Sequence, residues 1–300
     1  MTRRVLMWGL LEDETLRSVY SRLQSAGADI TFINHAAIHR TRVQVDVSST
    51  VRYGVTWDSG FCQLESVSAA YLRPYDTKYY EPDSPGTEGV AGSSDSRSVH
   101  QLINTWAEYT SATIINRPSA EGTNHSKLYQ ARLIAQSGFR TPESLVTNDR
   151  ALALRFLAAQ GRVIYKSMSS VRSIVKELSA SDLDGIELGP VLFQQLIVGR
   201  HVRVHVVADR CFACQIDSDS IDYRYAPNRR LPLSVPAAIG DRCVALTRSL
   251  DLKLAGVDLI ETHSGDWYCL EVNTNPGFSY YDTTGQGDVA QAVAEVLLSQ

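Results

Sequence analysis

Hydrophobic residues recur at helical spacing near the start of the chain and alternate with polar ones over most of its second half, so the two parts predict different elements. "RRVLMWG", "EDETLRSVYSRLQSAGA" and "DITFINH" read as strand, helix and strand, with Leu16, Val19, Tyr20 and Leu23 on one helical face and Gly27 suited to the helix end. Together they make one βαβ unit. "VSAAYLRPY" adds a strand, "SVHQLINTWAEYT" a helix and "ATIIN" the last strand of an N-terminal α/β unit ending near residue 115. Between these, "EPDSPGTEGVAGSSDS" at 81–96 has the Gly, Ser, Pro and acid content of a mobile loop.

Beyond residue 115 the pattern restarts. Asn124 or Ser126 can cap a helix that Gly138 closes, and "RTPESLVTN" leads into strand structure. "RVIYKSMSS", "PVLFQQLIV", "HVRVHVVADRCFACQID" and "LAGVDLIETHSGDWYCLEVN" are strand-like and mostly alternating, which predicts two antiparallel sheets rather than a second doubly wound domain. "VDLIETHSGDWYCLEVN" reads as a hairpin with Gly265-Asp266 in its turn, and "GDVAQAVAEVLLSQ" closes the chain as an amphipathic helix.

Composition narrows the class without naming a function. A chain of 300 residues with 44% hydrophobic content can bury a sizeable core in two or three subdomains. A formal net charge of -4 supplies no field for nucleic acid or an anionic membrane, so neither is expected as a partner. No apolar run approaches the roughly 18–20 residues that span a bilayer, and "MTRRVLMWGLLEDE" reads as a buried strand rather than a signal segment. Five scattered cysteines suit reduced thiols and a cytoplasmic location. "CFAC" at 211–214 has CxxC spacing but no second Cys/His pair, and is read as two buried thiols rather than a metal or redox site.

Chemistry concentrates in "CLEVNTNPGF", Cys269 to Phe278. Alternation puts Glu271, Asn273 and Asn275 on one strand face, sends Leu270 and Val272 toward a core, and ends the ladder at Pro276-Gly277. Asp258, on the first strand of the hairpin, can face Glu271 and Asn273. Two carboxylates and an amide oxygen suit magnesium with phosphate oxygens better than an all-protein calcium cage; the alternative is an ordinary solvent-facing hairpin. Lys127, Lys166 and Arg203 are cations of the kind that bind phosphate, although each alone reads more often as a solvated surface charge and only the set with the acidic face points to a triphosphate.

The order Lys127, Lys166, "QQLIVGRHVR", "GVDLI" and "LEVNTNPGF" resembles the ATP-grasp ligases, in particular the branch of the ribosomal protein S6 glutamate ligase and the maturases that crosslink microviridin-type peptides. "FACQIDSDSIDYR" resembles their strand and substrate loop. The resemblance implies an ATP-grasp fold, α/β and α+β, with a pre-ATP-grasp α/β domain at 1–115, a central domain at 116–190 and a C-terminal antiparallel-sheet domain at 191–300. It implies that Lys127 and Lys166 contact ATP, that Gln194, Gln195 and Ile197 lie against adenine, and that Arg203 sits by the phosphates and the reacting acyl group. It further implies Asp258, Glu271 and Asn273 as ligands of Mg2+, and Arg224 as the holder of the substrate carboxylate.

The departures from the family pattern are local. His201 stands where an acid usually meets the ribose, Gln195 replaces a frequent Glu, and "KSMSSVRS" lacks a Gly-rich loop, leaving Ser167, Ser169 and Ser170 as donors. "NTNPGF" has the general superfamily form rather than the Gly-Gln form of the peptide maturases. Three functions remain open: ATP-dependent amide or ester formation on a carboxylate-bearing precursor peptide, ligation of free amino acids or small metabolites, and an inactive nucleotide-binding module. The 81–96 loop and "DSDSIDYRYAPNRRLPL", with Arg224, Arg229 and Arg230, are where acceptor choice is expected to lie, although the second is equally read as a solvated loop. Relatives of this branch are commonly dimers, which makes a homodimer an option.

Overall fold

The computed structural model describes residues 3–57, 60–74, 94–166, 176–183, 189–218, 228–282 and 288–299. The chain opens with β1 (Arg4–Gly9), α1 (Glu14–Ser25) and β2 (Asp29–Asn34), the expected βαβ unit. Asp13 caps α1 by accepting from the Thr15 N–H at 2.9 Å, and Gly27 follows the helix at φ +69°. An antiparallel sheet that the pattern did not foretell comes next, β3 (Arg42–Val47), β4 (Val51–Trp57) and β5 (Gly60–Gln63). β6 (Ala69–Leu72), α2 (Ser94–Tyr109) and β7 (Thr113–Ile115) complete a parallel sheet in the order β2-β1-β6-β7. The loop expected at 81–96 lies outside the described residues as far as 93; residues 94–96 already belong to α2.

α3 (Pro118–Glu121) and α4 (Lys127–Gln136) follow, and the Ser126 side chain, the second of the two expected caps, accepts from the Tyr129 N–H. β8 (Ser144–Thr147), α5 (Arg150–Gln160), β9 (Val163–Lys166), β10 (Lys176–Glu177) and β11 (Val191–Gln195) form an antiparallel sheet in the order β10-β9-β11-β8. β12 (Arg200–Val207), β13 (Arg210–Asp217), β14 (Arg229–Pro232), β15 (Leu254–Glu261) and β16 (Trp267–Asn273) build the third antiparallel sheet, ordered β14-β13-β12-β15-β16, with α6 (Ala237–Ser249) between β14 and β15 in the chain. α7 (Ser279–Asp282) and α8 (Val289–Leu298) end the chain. Among the described residues no helix is long and apolar enough to cross a membrane.

Alternation sorts the five-stranded sheet into two faces. Val202, Val204, Val206, Ala213, Val257, Leu259, Cys269 and Val272 are buried with Ile134 of α4 and Cys243 and Leu246 of α6. The opposite face carries the polar side chains. α8 leaves this sheet and packs with Leu16, Val19 and Leu23 of α1 in the core of the N-terminal sheet, where Arg22 also pairs with Asp288.

Two expectations change. β16 contains a bulge: Asp258 pairs with Glu271 but Leu259 with Cys269, so Leu270 is the extra residue. Cys269 and Val272 therefore both reach the core while Leu270 stays half-buried outside it, contrary to strict alternation. All five cysteines are free. Two buried thiols are expected at 211 and 214, but the two cysteines lie three positions apart on β13 and so on opposite faces, Cys211 only half-buried on the α6 side and Cys214 buried with Ile216 and Tyr281.

Candidate active site

Arg203 is the centre of the polar face. Its Nη1 donates to Asp258 Oδ2 at 3.1 Å and to the Gly256 carbonyl at 3.1 Å, and the residue is only 8% exposed. The pairing follows from register, because Arg203 of β12 lies opposite Asp258 of β15, and Asp258 opposite Glu271 of β16. Gly256 makes the guanidinium's place: a Cβ there would stand 2.8 Å from Arg203 Nη1 and 3.0 Å from Pro276 Cβ. Asn273 lies opposite Gly256, one row along from Glu271.

Asp258, Glu271 and Asn273 thus converge on one surface, and their donors fit a hard cation. Asp258 offers a carboxylate whose Oδ2 is bonded to Arg203. Glu271 has no side-chain hydrogen bond or ion pair among the described residues. Asn273 Oδ1 accepts from the Asn275 N–H at 3.1 Å and retains a second lone pair. No group of three or more His, Cys, Asp or Glu among the described residues could hold a metal, so a cation here has two carboxylates, an amide oxygen and open positions. Magnesium with phosphate oxygens has that requirement.

A second polar group lies on the four-stranded sheet. Lys166 Nζ donates to Gln194 Oε1 at 3.1 Å, and Gln194 Nε2 donates to Ser144 Oγ at 3.1 Å. These share the sheet face opposite Phe193 and Val163, which enter the local core. Gln195 falls on the other face of β11, where its Oε1 accepts from the Glu143 N–H at 3.5 Å. Residues 196–199 join the two sheets, so the ends of β11 and β12 are at most about 18 Å apart. Ile197 is buried within this link, and a Cβ on Gly199 would come 2.2 Å from the Glu261 carbonyl, so the link passes where only glycine fits. His201 follows, half-buried, with burial holding its imidazole pKa down and favouring the neutral ring.

Lys127 opens α4, and Gln130, one turn on, fastens that helix to β16: its Nε2 donates to the Val272 carbonyl at 2.7 Å and its Oε1 accepts from the Val272 N–H at 2.9 Å. Nothing local in the sequence marks Gln130, because its partner is 142 residues away. Arg73, at the end of β6, is equally unmarked. Its Nε donates to Asp13 Oδ2 at 2.9 Å, and its Nη1 donates to Asn275 Oδ1 and to the Pro276 carbonyl. Asn275 was expected on the face of Glu271 and Asn273; β16 ends at Asn273, and Asn275 instead ties the Pro-Gly turn to the N-terminal sheet. Arg224, Ser167, Ser169 and Ser170 lie outside the described residues.

A parallel sheet followed by two antiparallel sheets, with Asp258, Glu271 and Asn273 on the last and the small β3–β5 sheet inserted in the first part, is the layout of the ATP-grasp fold. Solved structures similar to the chain include ligases bound with precursor peptides. Macrocyclase MdnC of Microcystis aeruginosa, bound with precursor peptide MdnA, matches with a TM-score of 0.84 at 18% identity over 99% of this chain and 100% of that one. ATP-grasp ligase PsnB, complexed with a phosphomimetic variant of its minimal precursor, Mg and ADP, matches with a TM-score of 0.80 at 25% identity over 98% and 97%. D-alanyl-alanine synthetase A of Vibrio cholerae, at 12% identity and a TM-score of 0.64, spans 100% of both chains. No protein-family model and no curated protein sequence matches the chain.

Proposed function

We propose that the chain is an ADP-forming carboxylate ligase that uses ATP and magnesium to make amide or ester bonds between side chains of a ribosomally made precursor peptide. The observation that carries this reading is the Arg203–Asp258 pair beside the Glu271 carboxylate, which has no partner among the described residues, in a fold that aligns end to end with peptide-bound ligases.

In this reading Asp258, Glu271 and Asn273 would hold magnesium, which when bound would supply neutralisation of phosphate charge. Lys166 and Lys127 contact the nucleotide, Gln194 sets the position of Lys166, and residues 194–197 lie against adenine. The neutral His201 takes the ribose. The substrate carboxylate takes the terminal phosphoryl group from ATP and ADP leaves; Arg203 faces the acyl oxygen that becomes an oxyanion when the acceptor attacks. The acceptor amine or hydroxyl then attacks that acyl carbon, loses its proton and expels phosphate. No protein nucleophile is required, so the rate rests on alignment and charge neutralisation. Arg224 is assigned to the substrate carboxylate. The working division is 1–115, 116–190 and 191–300, with the catalytic face on the last unit.

Glu271→Gln tests the assignment. It should abolish magnesium-dependent ATP turnover while leaving the thermal unfolding profile unchanged; a variant that turns over ATP normally removes Glu271 from the metal site.

A further inference from the structure

Arg230 lies on β14 in register with Ile216, which is in turn opposite His201, so its side chain shares the face of Arg203 and Asp258. Its Cζ stands 4.8 Å from the centre of the Tyr280 ring and 5.1 Å from that of Tyr281. The Tyr281 ring is also 6.0 Å from Arg203 Cζ, and it is fixed from below by His205 at 4.8 Å and buried against Cys214 and Ile216. The two guanidiniums are therefore linked through one immobile ring. Arg203 has Asp258, whereas Arg230 has no carboxylate partner and no hydrogen bond among the described residues, and its Nε is buried. A cation held against two rings, partly desolvated and with no carboxylate partner among the described residues, presents a planar fork to an incoming anion.

Position in the sheet selects the anion. β14 and β16 are its two outer strands, four steps or roughly 19 Å apart. Glu271 and Asn273 are on β16, so nucleotide phosphates belong at that edge and Arg230 faces the opposite one, with Arg203 between. An acidic peptide whose reacting carboxylate reaches Arg203 would place a neighbouring acidic side chain over β14.

We propose that Arg230, held by Tyr280 and Tyr281, is a specificity residue that binds a second, non-reacting carboxylate of an acidic peptide substrate. This rests on the ligase reading above. The test is calorimetric titration of the full chain, with and without magnesium and ADP, against a synthetic peptide with adjacent Glu and Asp side chains and its Gln/Asn counterpart. The wild type should prefer the acidic peptide, Arg230→Gln should weaken that peptide alone by about tenfold or more, and Arg230→Lys should fall between. ADP affinity should not change.

Tyr280 is 49% exposed, so its replacement spares the core and decides the matter should Arg230→Gln not fold. Tyr280→Leu should weaken the acidic peptide and Tyr280→Phe should preserve it. No acidic preference in the wild type, an unchanged preference in Arg230→Gln, or loss of ADP affinity instead would overturn the proposal. Failure of the ligase reading shows differently, as absence of magnesium-dependent ADP binding in the wild type.

Discussion

Gln130 of α4 satisfies both backbone groups of Val272 on β16, donating to its carbonyl and accepting from its N–H, and so acts as a one-residue extension of the sheet. Val272 lies between Glu271 and Asn273, and Gln130 stands one turn after Lys127. A single amide thereby fixes α4, which carries Lys127, against the strand that bears Glu271 and Asn273, two of the proposed cation ligands.

Gln130→Leu should accordingly damage stability and site together. It strands a buried N–H and a buried carbonyl, at about 1–3 kcal/mol each. Gln130→Glu keeps an acceptor for the N–H but sets a carboxylate oxygen against the carbonyl, and should destabilise similarly. Urea unfolding of both variants checks this; wild-type midpoints would mean that the clamp is dispensable.

Gly256→Ala should act mainly on function. The added methyl meets Arg203 Nη1 at 2.8 Å and Pro276 at 3.0 Å, so the guanidinium must shift away from Asp258. Overpacking of this kind costs about 1–3 kcal/mol. ATP turnover should drop further than the stability loss explains, and turnover at the wild-type rate would show that Arg203 needs no such space.

Arg73→Met should cost about 1–3 kcal/mol, because it takes the charged hydrogen bond from the half-buried Asp13 carboxylate and releases Asn275 and Pro276 from the N-terminal sheet. Thr15 Oγ1, which accepts from the Phe278 N–H at 3.2 Å, holds the same turn. Adding Thr15→Val should therefore be worse than additive for turnover, measured as a double-mutant cycle.

Burial raises the Glu121 carboxyl to about 8 against the opposing pull of Arg73. The folded protein then keeps a proton that the unfolded chain has released, so unfolding releases a proton and stability falls as pH rises from about 4.5 to about 8. Glu121→Gln should flatten this dependence in thermal unfolding followed across that range; an unchanged slope would show that Glu121 ionises normally.

What the sequence revealed depended on whether the interaction was local. Glu271 and Asn273 were legible because strand alternation and the Pro-Gly break are properties of neighbouring residues, and the hairpin brought Asp258 to them through a short turn. Leu270 was misplaced because a bulge changes the count without changing composition. Asn275 was misplaced because the strand stops before it, and its partner Arg73 is 202 residues away. Gln130 and Gly256 left no trace, since each serves a distant backbone group or guanidinium rather than its own element. The β3–β5 sheet was missed because it is inserted between β2 and β6 without disturbing the parallel order around it.

The account stands most directly on phosphate release from ATP with magnesium, measured against free amino acids and, separately, against peptides rich in Asp, Glu, Lys, Ser and Thr. It predicts release with peptides alone, accompanied by a product lighter by one water for each bond formed. Release driven by free amino acids, or ATP binding with no release in either set, would contradict it.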